Sequence, residues 1–183
     1  MKKVAVLLAE GFEEVEALTV VDVMRRADIH CDMVSIGDID VIGSHNIKIT
    51  ADMRIDDDLS DYSMIVLPGG LPGATNLQES HKVINLVKEF YADKKYIAAI
   101  CAAPIVLAEA GIVEGKNITS YPGFEDQLKG CNYIEDENVV VDGNIITSRG
   151  PALTLPFSYK LLEILGVDPS GLKEGMMFNF LMR

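Results

Sequence analysis

Short runs of β-branched and small apolar residues recur along the chain, and stretches with helical spacing separate them. KKVAVLLA near the start and SMIVLPGG at 63–70 both end in small or turn-forming residues, as strands of a parallel sheet covered on both faces do. Between them, Glu13 to Ala27 carries Val15, Leu18, Val21 or Asp22, and Arg25 at helical spacing, flanked by Val20, Val23 and Met24. That spacing predicts a helix buried over a broad face. Strand and helix in alternation, joined by right-handed crossovers, restrict the fold to an α/β doubly wound sandwich with a mostly parallel central sheet.

The rest of the chain extends the pattern. CDMVSI predicts a strand, and IGSHNIKITADMRIDDDLSD predicts a hairpin or short strands before an acidic, turn-rich loop. A helix follows from about Asn76 to Ala92, with Leu77, Val83, Ile84, Val87 and Tyr91 inward. YIAAI is the next strand, and a helix then runs to about Ala110 and stops at Gly111. NITSY is another strand candidate, and CNYIEDENVVVDGNIITSRG reads as an antiparallel ribbon about its Asp-Gly turn. TLPFSYKLLEILG and PSGLKEGMMFNFLMR have helical patterns. With no repeat or flexible linker, residues 1–183 are expected to form one domain.

Composition excludes several functions. A net charge of −12 with no basic stripe argues against nucleic acid and anionic lipid. No apolar run reaches the roughly 18 residues of a membrane span, and MKKVAVLLAEGFEE is a poor secretory signal, so a soluble cytoplasmic protein is expected. The three cysteines, Cys31, Cys101 and Cys131, lie far apart without metal-ligand spacing, so reduced thiols are expected, with no metal and no cofactor.

Cys101 differs from the other two by its position. YIAAICAAPIVLAEAG runs from strand into helix with the thiol at the joint, and Ala99 and Ala103 stand two residues to either side. A sharp strand-to-helix turn that presents a nucleophile needs small residues there, as in G-x-S-x-G. Pro104 suits the first helical turn, which would start one or two residues after Cys101, and a positive helix end favours thiolate. A small buried hydrophobe is the other reading of a free cysteine, and spacing leaves both open.

Two further elements would face the same crevice at the carboxyl edge of the sheet. In VLPGGLPGA, Gly69 and Gly70 can bring backbone N–H groups close to a ligand, and the amides of Gly70 and Ala102 form a candidate oxyanion hole. In AEGFEEVEA, Glu13 and Glu14 read as first-turn acids that stabilise the helix, whereas Glu16 lies one turn in beside Val15 and Leu18. Directed toward the sheet edge, Glu16 would be desolvated and keep a proton.

At these elements the sequence resembles the ThiJ/PfpI superfamily, in the branch of the Parkinson-disease-associated protein deglycase. The resemblance rests on LAEGFEEVEA, VDVMRRA, MIVLPGG, AAICAAP and TSRGP, in that order, and spans nearly the whole chain. It implies a flavodoxin-like sandwich, a homodimer, Cys101 as the reactive elbow cysteine, and Glu16 as a protonated carboxyl hydrogen-bonded to the thiolate or to its sulfinate. It further implies anion-binding backbone at Gly69, Gly70 and Ala102, a dimer-interface arginine at Arg26 near the pocket, and an acidic neighbour at Asp22. Two positions depart from the branch's human member: Tyr121 replaces a histidine near the cysteine, and His45 replaces an arginine. A Cys-His relay at Tyr121 is therefore absent. Ala102 stands where the protease-like branch has histidine, and none of His30, His45 or His81 begins the His-x-Glu pair of glutaminase relatives.

The resemblance implies a cofactor-independent enzyme on small reactive carbonyl substrates, glyoxalase- or deglycase-like, in stress protection. The alternative is a redox-responsive sensor or chaperone whose Cys101 is oxidised to sulfinate without significant turnover. A thiamine-related role has no pyrophosphate-binding signature to support it.

Overall fold

The computed structural model describes residues 2–182. In chain order its elements are β1 (Lys3–Leu8), α1 (Glu14–Arg26), β2 (His30–Ser35), β3 (Asp40–Ile42), β4 (Lys48–Thr50), β5 (Met53–Arg54) and β6 (Met64–Leu67). There follow α2 (Gly73–Glu79), α3 (His81–Ala92), β7 (Tyr96–Ile100), α4 (Pro104–Glu109), β8 (Asn117–Ile118) and β9 (Asn132–Tyr133). Last come β10 (Val139–Asp142), β11 (Ile145–Ser148), α5 (Thr154–Ile164), α6 (Ser170–Gly175) and α7 (Phe178–Leu181).

Seven strands form one sheet in the order β10-β11-β7-β6-β1-β2-β5. All neighbours in it run parallel except β10 and β11. The series β2-β1-β6-β7-β11 is the flavodoxin-like order, in which the chain winds first to one side of β1 and then to the other. A switch point results beside β1 and β6, the place at the carboxyl edge where sheets of this order bind ligands.

Alternation along each strand builds two cores. Val4, Val6 and Leu8 of β1 join Val20, Met24, Phe157 and Leu161 on the face covered by α1 and α5. Ala5 and Leu7 join Leu77, Val83, Val87 and Ile105 on the face covered by α2, α3 and α4. Both faces are dry, which explains why these strands read as continuous apolar runs.

The structure departs from the predicted elements in four places. The helix expected over 76–92 is two helices, because Ser80 is extended (φ −79°, ψ 108°) and its hydroxyl accepts the Val83 N–H at 3.4 Å to cap α3. Phe90 completes the buried face, and Tyr91 packs partly buried against the same core. In α1 the inward stripe is Ala17, Val20, Val21 and Met24 rather than Val15, Leu18 and Arg25, and Val15 is exposed. NITSY is a strand only at Asn117–Ile118, which pairs in parallel with β9, and the C-terminal helix divides at Met177, where φ is +60°. The ribbon is as expected: Asp142 faces Ile145 across the turn at Gly143 and Asn144.

Candidate active site

The carboxyl ends of β1, β6, β7 and β11 converge on Cys101. The chain leaves β7 at Ile100, and Cys101 takes φ +63°, the left-handed region that costs a non-glycine residue about 1–3 kcal/mol. Backbone hydrogen bonds enforce that geometry. The Cys101 N–H donates to the Ser148 carbonyl at 3.1 Å, extending the β7–β11 ladder by one residue. Its own carbonyl accepts the Tyr121 N–H at 2.8 Å, and the Ala103 N–H closes the turn onto Ile100 O at 3.0 Å. Ala99 and Ala103 are completely buried, so the bend leaves no room for larger residues. The helix begins later than expected: residues 101–103 form a turn of their own, and α4 is only six residues long, starting at Pro104.

The inward stripe of α1 sets Glu16 on the same crevice. Its carboxyl is fully buried, Oε2 accepts the Gly69 N–H at 2.8 Å, and Oε1 has no partner among the described residues. Gly69 is placed where no side chain fits, since a Cβ there would lie 2.7 Å from both Cys101 Cβ and Glu16 Oε2. This amide is thus engaged by the Glu16 carboxyl. The Gly70 and Ala102 amides, the pair expected to line an oxyanion hole, lie near enough to the Cys101 sulfur to favour its charged form.

Burial dominates the electrostatics of this pair. Desolvation pushes the Glu16 carboxyl up to about 7, against the lowering effect of the Gly69 amide and the nearby Cys101 thiol. Burial, with the Glu16 charge behind it, pushes the Cys101 thiol up to about 12, although the Ala102 and Gly70 amides pull it down. The helix-end preference for thiolate expected from sequence is therefore outweighed, because α4 is short and the sulfur is largely withdrawn from water. The Glu16 Oε1, without a hydrogen-bond partner among the described residues, adds to the cost of a charged carboxylate at this place.

The remaining predicted residues fall elsewhere. Asp22 and Arg26 pair with each other at 2.7 Å on the exposed side of α1. Tyr121 reaches the centre through its backbone alone; its side chain is 47% exposed beside Gly150. His45 lies in the β3–β4 loop against Glu14 and Glu13, with Nδ1 2.9 Å and 3.6 Å from their carboxylates. That cluster was not legible in sequence, since 31 residues separate Glu14 from His45. Nor was the carbonyl of Ser148, a backbone group without a side-chain signature.

A parallel sheet in flavodoxin-like order, with a strained elbow cysteine and a buried glutamate at its carboxyl edge, defines a class of α/β thiol proteins. The chain belongs to the DJ-1/PfpI family, whose profile matches residues 2–164. It is 40% identical to Protein dj-1beta of Drosophila melanogaster over 167 residues, covering 90% of this chain and 89% of that protein. The Parkinson disease protein 7 homolog of Danio rerio is 38% identical over 169 residues, with the same coverages of 90% and 89%. The crystal structure of the Drosophila DJ-1beta superposes with a TM-score of 0.92, covering 96% of this chain and 97% of that one at 39% identity. The structure of oxidized Toxoplasma gondii DJ-1 matches at a TM-score of 0.84 and 35% identity, covering 90% and 91%.

Proposed function

We propose that Cys101 and Glu16 form the reacting centre of a stress-protective, glyoxalase- or deglycase-like enzyme that needs no cofactor and acts on small reactive carbonyl compounds. One observation carries this reading: a buried carboxyl, tied by Oε2 to the Gly69 amide, faces a thiol on a strained turn with two amides beside its sulfur. With the proton on Glu16, the thiolate adds to the aldehyde carbon of a dicarbonyl such as methylglyoxal, and Glu16 protonates the new alkoxide. Glu16 then takes the hydrogen from that carbon and returns a proton to its neighbour, leaving a thioester of the hydroxyacid. Water hydrolyses the thioester and restores the thiol, so one dicarbonyl and one water become one hydroxyacid. In this reading the amides of Gly70 and Ala102 hold the developing oxyanion.

The same two amides favour a second reading, a redox sensor or chaperone. They and a protonated Glu16 would equally stabilise sulfinate oxygens on Cys101, and the oxidized state of the Toxoplasma relative supports it. NMR of methylglyoxal consumption separates the two readings. The enzyme reading requires hydroxyacid formation by the wild type and its loss in Cys101→Ser and Glu16→Gln at matched folding. Turnover no faster than buffer rejects it and leaves oxidation sensing.

A homodimer with Asp22 and Arg26 near its seam and a cytoplasmic location belong to the same proposal. The acidic charge supports the absence of nucleic acid, and among the described residues no helix is long and apolar enough to cross a membrane. Light scattering tests the dimer.

A further inference from the structure

Beside the Cys101 centre, Glu13 at the N-cap of α1, Glu14 in its first turn and the β3–β4 loop bring four donor atoms together. Ser44 Oγ lies 3.2 Å from Glu13 Oε2, 3.2 Å from Glu14 Oε2 and 3.0 Å from His45 Nδ1. His45 Nδ1 lies 2.9 Å from Glu14 Oε2 and 3.6 Å from Glu13 Oε2, and the two carboxylates approach within 4.8 Å. Four tetrahedral donors at roughly 2.0–2.1 Å from one ion stand about 3.3–3.4 Å apart, so these separations bracket the spacing that zinc requires.

The arrangement is built rather than loose. Glu14 is 5% exposed, and the His45 N–H donates to its Oε1 at 2.8 Å, which aims Oε2 at the histidine ring. Gly43 clears the space, because a Cβ on it would lie 2.3 Å from Glu14 Oε1. On the other side the Glu13 N–H is held by the Gly69 carbonyl at 2.9 Å, which fixes the start of the helix carrying both carboxylates. Two carboxylates this close in a protein of net charge −12 repel, and one imidazole carries at most a single compensating charge.

We infer that Glu13, Glu14 and His45 form a binding site for a divalent transition ion of zinc's kind, with the Ser44 hydroxyl or a water as the fourth ligand. Coordination takes neutral His45 through Nδ1, and the proton otherwise shared with Glu14 leaves to solvent. The imidazole nitrogen and the short separations disfavour calcium, which takes 6–8 oxygens at about 2.3–2.6 Å. The site adjoins the Cys101 centre through Gly70, where an added Cβ would lie 2.4 Å from Glu13 N, and it needs neither reading of that cysteine.

The test is zinc titration against a chromophoric chelator, using Cys101→Ser protein so that the thiol does not compete. One zinc per chain is expected, with Glu13→Gln and His45→Gln each weakening binding about tenfold or more. His30→Gln, on a different histidine, is expected to bind like its parent. Circular dichroism and thermal melting establish that each variant is folded, and Glu13 and His45 carry the test because Glu14 also anchors the loop. Cobalt(II) in place of zinc should give the visible bands of a four-coordinate nitrogen and oxygen site. Absence of saturable binding, loss of binding on His30→Gln, or unchanged binding in both folded Glu13→Gln and His45→Gln overturns the proposal.

Discussion

The Gly69 amide donates to Glu16 Oε2 at 2.8 Å, and the α-carbon that carries it faces Cys101 so closely that a β-carbon there would stand 2.7 Å from Cys101 Cβ. One residue thus sets both the orientation of the carboxyl and its approach to the thiol. Gly69→Ala must displace the Glu16 carboxyl and also Cys101 Cβ, which cannot move without its backbone. We expect it to lower stability by about 1–3 kcal/mol, the usual cost of overpacking, and to slow modification of Cys101 by a thiol reagent. Denaturant titration and alkylation kinetics check this; wild-type behaviour in both would mean the crevice opens at no cost.

Glu16 gives a pH dependence with a definite sign. Burial raises its carboxyl from 4.5 to about 7 in the folded protein, so between those values the native state binds more protons than the unfolded chain. Its contribution is fully present below pH 4.5 and is lost as pH rises through about 7. With one pK unit worth about 1.4 kcal/mol, this group removes about 3 kcal/mol between pH 4.5 and 8. Glu16→Gln should flatten that part of the profile, and urea unfolding of both proteins at pH 5 and pH 8, with EDTA present, measures the difference.

Tyr121 supports Cys101 through its main chain. Its N–H bonds the Cys101 carbonyl at 2.8 Å, which any non-proline residue can supply. Tyr121→Ala is therefore expected to change stability by no more than about 0.5 kcal/mol and to leave the alkylation rate of Cys101 near that of the wild type. A large fall in that rate would assign the phenol a role at the thiol.

Ser80 separates α2 from α3 and caps the latter through its hydroxyl, which accepts the Val83 N–H at 3.4 Å. Ser80→Ala should cost about 0.5–1 kcal/mol without affecting Cys101, and Ser80→Asp should retain most of the stability. Thermal melts of both variants decide whether the cap or only the bend matters.

Apolar runs, helical spacing and small residues around Cys101 determined the sandwich, its cysteine corner and the nearby Gly-Gly turn, because these depend on local preference and on which faces must be dry. The break at Ser80 leaves no mark in the sequence pattern, because the flanking apolar positions continue in phase across it. The inner face of α1 lies one position from the stripe its spacing predicts, because Val15 and Leu18 compete with Ala17 and Val20, and only packing against α5 and the sheet selects between them. That selection is also what buries Glu16.

The charge state of the thiol, the commitment of Gly69 to Glu16 and the meeting of Glu13, Glu14 and His45 were decided by tertiary structure alone. Each depends on desolvation or on contacts between residues far apart in the chain, and local sequence patterns carry no record of either.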